Sequence, residues 1–194
     1  MESAMSLFGE TGFETTSLKA IAERAGLTSA AIYYHYENKQ DILFKGLLEA
    51  ITDLLTECTP AMDLIPQDPA LALQDFVRRH LMFQFSERHG IQRTYAALVY
   101  NLRERKRLLS SERRAQLADL ENRHLDNLRR IILAGIEKGC FAPESVTVSA
   151  FSIIAQCEHA IYWMSPKGEA SIEQLGDMLG IISLRIVNYS GQQD

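Results

Sequence analysis

Three helix-capping side chains, Ser17, Thr28 and Asn38, stand at near-even intervals close to the start of the chain, with Gly26 between the first two. That punctuation leaves room only for short helices. Leu18, Ile21, Ala22 and Ala25 follow Ser17 at i, i+3, i+4 and i+7, the spacing of one apolar helix face behind its cap. Gly26 takes the left-handed conformation that ends such a helix. Thr28 opens a second helix of about two turns, reaching Tyr36. Asn38 opens a longer one, whose Asp41 places a carboxylate near the positive end. Ala4, Leu7 and Phe8 form a further stripe upstream, stopped at Gly9 and Gly12. Two helices separated by a turn of about three residues containing glycine have the spacing of a helix-turn-helix, here over about residues 17–36.

The second of these helices lies in the stretch GLTSAAIYYHYENK, where Tyr33, Tyr34, His35 and Tyr36 are consecutive. Ring side chains in a row are usually core, but a helix divides them. Ile32 and Tyr36 fall on one face, and Ser29 and Tyr33 share another. Only part of the run can be buried, so the rest faces a partner.

No alternating strand pattern stands out, and helical periods run through almost the whole chain, which predicts an all-α fold. The proline-rich TPAMDLIPQDP, from Thr59 to Pro69, breaks the pattern and sets an expected division into residues 1–54 and 55–194. Beyond it the periods predict helices from Asp68-Pro69 to about His89, from Ile91 to about Leu109, and from Ser110 or Ser111 to Gly139. Two more follow, from about Val146 to Met164 and from Ser171, where SIEQ reads as a capping box. Cys58, Cys140 and Cys157 have no CxxC spacing and read as reduced, buried thiols. No apolar run approaches the ~18 residues of a membrane helix and MESAMSLFGE lacks a leader pattern, so a cytoplasmic protein that does not contact the membrane is expected.

Charge complicates any reading as a nucleic-acid binder. The chain carries a net charge of −5. Within residues 1–54 only Lys19, Arg24, Lys39 and Lys45 oppose eight carboxylates, although phosphate neutralisation normally dominates DNA affinity.

The segment GFETTSLKAIAERAGLTSAAIYYHYENKQDIL resembles the DNA-binding domain of TetR-type transcriptional regulators, through its Gly-Phe, its IAERAGL helix and turn, and its IYYHY.NK close. The resemblance implies an all-α homodimer with an N-terminal three-helix helix-turn-helix domain that reads double-stranded operator DNA. It also implies a larger C-terminal ligand-binding and dimerisation domain, whose small effector releases the DNA. Carried onto these residues, Ile32 and Tyr36 anchor the short helix to Leu18 and Ile21. The small Ala30 and Ala31 allow close approach to the duplex. Ser17, Lys19, Thr28, Ser29, Tyr33, Tyr34, His35 and Lys39 complete the expected DNA contacts. Hydroxyls and imidazole bond phosphate without full positive charge, and helix N-termini help.

GCFAPESVTVSAFSIIAQCEHAIYWMSPKGEASIEQLGDMLG resembles the C-terminal end of repressors of fatty-acid and steroid catabolism, which implies a small lipophilic effector of the acyl-CoA kind. Phe76, Phe83, Tyr95, Leu98 and Trp163 read either as core or as the lining of an apolar site. The basic run NLRERKRLLSSERR reads either as a solvated loop or, through Arg105 and Arg107, as a phosphate-docking patch. Ile153, Ile161, Met178, Ile182 and Ile186 are the expected dimer contacts, because the last two helices are apolar over more than one face. No metal-ligand spacing, nucleophile elbow or phosphate loop occurs, so neither a cofactor nor catalysis is expected. The competing reading is a helical small-molecule binder whose DNA-binding domain is vestigial.

Overall fold

The structure, a computed structural model, describes residues 1–86, 102–164 and 171–191. Among them every regular element is helical: α1 (Glu2–Thr11), α2 (Leu18–Arg24), α3 (Ser29–His35), α4 (Lys39–Asp63), α5 (Pro69–Gln84), α6 (Leu102–Leu108), α7 (Ser111–Glu137), α8 (Val146–Trp163) and α9 (Ile172–Ile186). The expected caps form. The Ser17 and Thr28 hydroxyls accept from the N–H groups of Ala20 and Ala31 at 3.0 and 3.2 Å, and Asn38 accepts from Asp41 at 2.8 Å. Gly26, at φ 67°, lets the Leu27 N–H reach back to the Ala22 carbonyl at 2.9 Å and close α2. Asp68 takes two N–H groups at the start of α5, and Ser171 and Gln174 form the reciprocal capping box of α9.

The proline break falls elsewhere than expected. α4 continues through Pro60 to Asp63. Proline forfeits one backbone hydrogen bond, but the fully buried Cys58 and Ala61 on either side hold that turn against the core. The exposed face of the same turn carries Pro60 itself.

The chain forms two compact units. One comprises Met1–Thr52 and Glu87–Asp119, the other Asp53–Ser86 and Leu120–Asp194. The first break lies beside the expected 54/55 division, but residues 87–119 group with the N-terminal unit rather than with the C-terminal half. In the first unit α1 closes on α4 through Gly46, where a Cβ would sit 2.5 Å from the Met5 sulfur. Met5, Phe8, Ile21, Ile32, Ile42 and Leu47 are buried around that contact. Burying each large aliphatic or aromatic side chain is worth about 1.5–3 kcal/mol.

In the second unit α9 packs on α5. A Cβ at Gly176 would meet Arg78 at 3.2 Å and one at Gly180 would meet Gln74 at 3.3 Å, so the two glycines set the close approach. Leu73, Phe76, Val77, Leu128, Ile131 and Ile153 fill the core. After α7 the chain turns at Gly139, at φ 72°, and Phe141 folds back over Gly135. A Cβ on Gly135 would lie 1.9 Å from the Phe141 ring. Gly135→Ala therefore gains about 1 kcal/mol of helix propensity but is expected to lower stability by about 1–3 kcal/mol net through overpacking. Urea unfolding measures this, and Phe141→Leu in the same chain should recover most of the loss. A neutral Gly135→Ala would show that the ring is not a constraint.

Candidate nucleic-acid interface and a buried polar cluster

Capping and packing together decide which side of α3 faces out. Ile32 is buried and Tyr36 half-buried, so the intervening side chains point away from the core. Tyr33 is exposed and Tyr34 is 84% exposed, with its ring set edge-on to His35 at 5.0 Å. Ser17, Lys19, Thr28, Ser29, Ala30 and His35 are exposed as well, and Ala31 is half-buried. Thr28 spends its oxygen lone pair on the cap and keeps its O–H to donate. The exposed face thus offers hydroxyls, an imidazole and two small alanines, a set that can approach a phosphate backbone and base edges closely.

Lys39 does not add the free point charge expected of it. Its Nζ donates to the carbonyls of Phe13, Glu14 and Thr16 at 2.6, 3.2 and 2.9 Å and sits 4.5 Å above the Phe13 ring. All three of its protons have acceptors, which ties the loop before α2 to the first turn of α4. Its role in this structure is to position the helix-turn-helix. The other cations of residues 1–54 are also engaged. Arg24 grips Glu10 at 2.7 Å, Lys45 pairs with Asp41 at 3.0 Å, and Lys19 lies 3.8 Å from Glu23.

The basic run changes its meaning once folded. It forms α6 and the start of α7 and belongs to the first unit. Arg107 pairs with Glu14, Arg113 pairs with Asp41 at 2.8 Å and lies 5.0 Å over the Phe44 ring, and Arg114 donates to the Leu109 carbonyl at 2.6 Å. Arg105 is half-buried, and Arg103 and Lys106 are exposed. The expected solvated loop is therefore a helical docking element. Burial alone would raise the Asp41 carboxyl, but the hydrogen bond and charge of Lys45 and the charge of Arg113 hold it below the ordinary carboxylate value. With Glu87–Asp119 included, the unit carries 12 basic and 11 acidic residues, so the acidity of residues 1–54 is offset inside the unit itself. Sequence position hid this compensation, because the charges lie far apart along the chain.

In the second unit the expected effector-site residues separate. Phe76 is fully buried and stacked on His124 with centroids 4.9 Å apart. Phe83 is half-buried. Trp163 is 63% exposed and faces outward, not into a core. Tyr95 and Leu98 lie outside the described residues. Missed in the sequence is a polar cluster beside Phe76: His80 Nδ1 lies 3.2 Å from His124 Nε2, and Gln84 Nε2 lies 3.4 Å from His80 Nε2, all three side chains being buried. The i, i+4 spacing of His80 and Gln84 on an apolar stripe was its only sequence signal. Burial in apolar surroundings pushes the His80 imidazole well below its ordinary value, with the neighbouring His124 adding to the effect, and holds His124 down at about 4.

The expected dimer residues separate too. Ile153 is fully buried within its own unit and cannot contact a partner. Ile161 and Ile186 are half-buried, while Met178 and Ile182 are exposed. The outward apolar face of α8 instead consists of Val148, Phe151, Tyr162 and Trp163, and α9 adds Ile181. No helix among the described residues is long and apolar enough to cross a membrane.

A helix-turn-helix with an exposed ring-and-hydroxyl face, joined to a larger helical unit, defines a DNA-binding transcriptional regulator. The family model for bacterial regulatory proteins of the tetR family matches residues 1–45, and that for the Tetracyclin repressor-like C-terminal domain matches residues 66–187. The chain belongs to the TetR family, whose members are transcriptional regulators and not enzymes. It is similar to the HTH-type transcriptional repressor KstR2 of Mycobacterium tuberculosis (strain ATCC 25618 / H37Rv), at 24% identity over 192 residues, 98% of this chain and 92% of the relative. The TetR family transcriptional regulator PfmR from Thermus thermophilus superposes with a TM-score of 0.82 at 30% identity, covering 95% of this chain and 96% of PfmR. AibR, in complex with isovaleryl coenzyme A and operator DNA, superposes with a TM-score of 0.75 at 23% identity, covering 93% and 94%.

Two outcomes follow from this geometry. Lys39→Met strips charged donors from three carbonyls and is expected to cost about 1.5–3 kcal/mol in urea unfolding. Lys39→Arg should recover little of that, because a planar fork cannot serve three convergent acceptors; full recovery would contradict the tripod. The buried histidines give a pH dependence. Their folded values lie below the ordinary 6.5, so the unfolded chain binds protons first as pH falls. Their contribution is complete above pH 6.5 and is lost as pH falls to about 4. Thermal melts across that window should decline less steeply in a His80→Phe, His124→Phe chain than in the wild type.

Proposed function

We propose that this chain is a homodimeric repressor acting in the cytoplasm, which binds a palindromic operator through α3 and is released by a small lipophilic effector. The observation that carries the reading is the outward face of α3, where Tyr33, Tyr34 and His35 stand exposed beside Thr28 and Ser29 while the cations around them are held within the unit. Exposing two tyrosines has no packing rationale in the folded chain and suits a duplex surface, where a ring with a hydroxyl reaches both sugar and phosphate.

The apolar outward faces of α8 and α9, with Phe151, Tyr162, Met178, Ile181 and Ile182, support pairing with a second copy into a four-helix arrangement. Two-fold pairing would place two α3 helices on half-sites about one helical turn apart or somewhat more. An acyl thioester is the effector class that the similarity to AibR favours, with its apolar part among α5, α7 and α8 near Phe76 and Phe83. The internal partners of Arg107, Arg113 and Arg114 argue against the basic run as a dock for its phosphates.

Footprinting of the DNA flanking the chain's own gene tests the reading. A protected, roughly palindromic site is expected, and Tyr33→Ala should weaken binding to it by about 1–3 kcal/mol without lowering the melting temperature. Phe151→Asp should give monomers in sedimentation and lose the footprint. Unchanged specific affinity in Tyr33→Ala would contradict the assignment of α3, and a dimeric Phe151→Asp would contradict the proposed interface.

A further inference from the structure

The His80–His124–Gln84 cluster has two loose ends. Among the described residues, His124 Nδ1 and Gln84 Oε1 are buried without a hydrogen-bond partner. Buried polar groups are nearly always paired, and an orphan costs about 1–3 kcal/mol. Both ends belong to one connected network, so their polarity is linked. If the Gln84 amide nitrogen donates to His80 Nε2, then His80 carries its proton on Nδ1 and donates to His124 Nε2. His124 then carries its own proton on Nδ1, leaving a donor at that end and the Gln84 carbonyl as an acceptor at the other. Turning the Gln84 amide over reverses the direction of every bond. His124 Nδ1 becomes the acceptor and the Gln84 amide the donor. In either state the cluster presents at least one unused donor and at least one unused acceptor.

We propose that these three side chains form an effector-recognition site, which takes an uncharged oxygen function, a carbonyl or a hydroxyl, carried on the apolar part of the effector. The site can serve a carbonyl in either state because a donor is always present, and a hydroxyl can use either end. Its surroundings set the rest of the ligand. Phe76 stacks on His124, and Leu73, Val77, Leu81, Leu125 and Leu128 on the same two helices are buried and apolar. A carboxylate would enter against neutral imidazoles with no cation among the three, so burying its charge would be unfavourable. The burial that keeps both imidazoles neutral is consistent with this choice. The site deepens the effector-responsive reading above and rests on it for its regulatory meaning, although ligand binding itself does not require DNA.

The test exploits the difference between a structural network and a waiting site. A network closed internally, by water for example, would lose stability when cut. A site with orphaned groups would be relieved by their removal. Full-length wild type, Gln84→Leu, His124→Phe and the triple variant His80→Phe, His124→Phe, Gln84→Leu are melted without ligand, then titrated calorimetrically with 2-decanone, 1-decanol, decane and decanoic acid. Each single variant strands a His80 nitrogen and is read for binding only, whereas the triple variant leaves no polar group of the network behind and should melt at or above the wild-type temperature. The wild type should bind the ketone or the alcohol at least about tenfold more tightly than decane, and the triple variant, which removes both ends, should bring the two within about threefold, as expected when a buried polar group loses its mate. If the triple variant does not fold, the wild-type preference for ketone or alcohol over decane decides the matter. A triple variant that melts several degrees lower, decane bound as tightly as the ketone by the wild type, a stronger response to decanoic acid, or no binding of any probe would each overturn the site. Release of operator DNA by the ketone is scored separately. Binding without release leaves the site standing and contradicts the repressor reading instead.

Discussion

The Lys39 ammonium holds the N-terminal unit in register. By filling the carbonyls of Phe13, Glu14 and Thr16 it fixes the loop that delivers α2, and the Ser17 cap at the end of that loop starts α2 in a set direction. From there Gly26 and Thr28 determine where α3 begins, and Ile32 determines which side of it is buried. The outward set of Tyr33, Tyr34 and His35 is the consequence. A cation so close to the exposed helix is thus used for geometry, and the neighbouring Arg24, Lys45 and Arg113 follow the same pattern with Glu10 and Asp41. The unit secures the placement of α3 with charge and leaves neutral groups on its outward face.

That arrangement reconciles an acidic chain with a DNA-binding fold. Part of the basic run of α6 and early α7 is turned inward: Arg107 reaches Glu14 and Arg113 reaches Asp41 within the same unit, while Arg103 and Lys106 stay exposed. Asp41 is nearly buried and bonded on both sides, so losing either cation would leave a desolvated carboxylate behind. The pairing gives residues 102–119 a direct mechanical hold on the start of α4, inside the unit that carries α3.

Local chemistry was legible in the sequence, and contacts between distant segments were not. The caps at Ser17, Thr28, Asn38 and Ser171 and the turn at Gly26 depend on residues within a few positions of each other, and each forms as expected. The Lys39 tripod joins residues more than twenty positions apart, so the sequence shows only a cation in a first helical turn. Pro60 read as a stop because the tertiary support from Cys58 and Ala61 is invisible locally. α8 is apolar on several faces, so its pattern could not say whether Ile153 or Phe151 pointed inward. The structure buries Ile153 and exposes Phe151. The His80–His124 contact spans two helices and left no motif.

On the proposed function, operator binding relies on neutral donors placed by cations that are largely spent inside the unit. The salt dependence of operator affinity measures this directly, because the slope of log K against log salt counts the phosphates neutralised by protein cations, at about 0.9 per phosphate. A shallow slope is expected for the dimer, of magnitude about 4 or less, with specific binding retained at physiological salt. A slope near −10, the value of a strongly cationic interface, would show that the lysines and arginines leave their internal partners for the DNA and would contradict it.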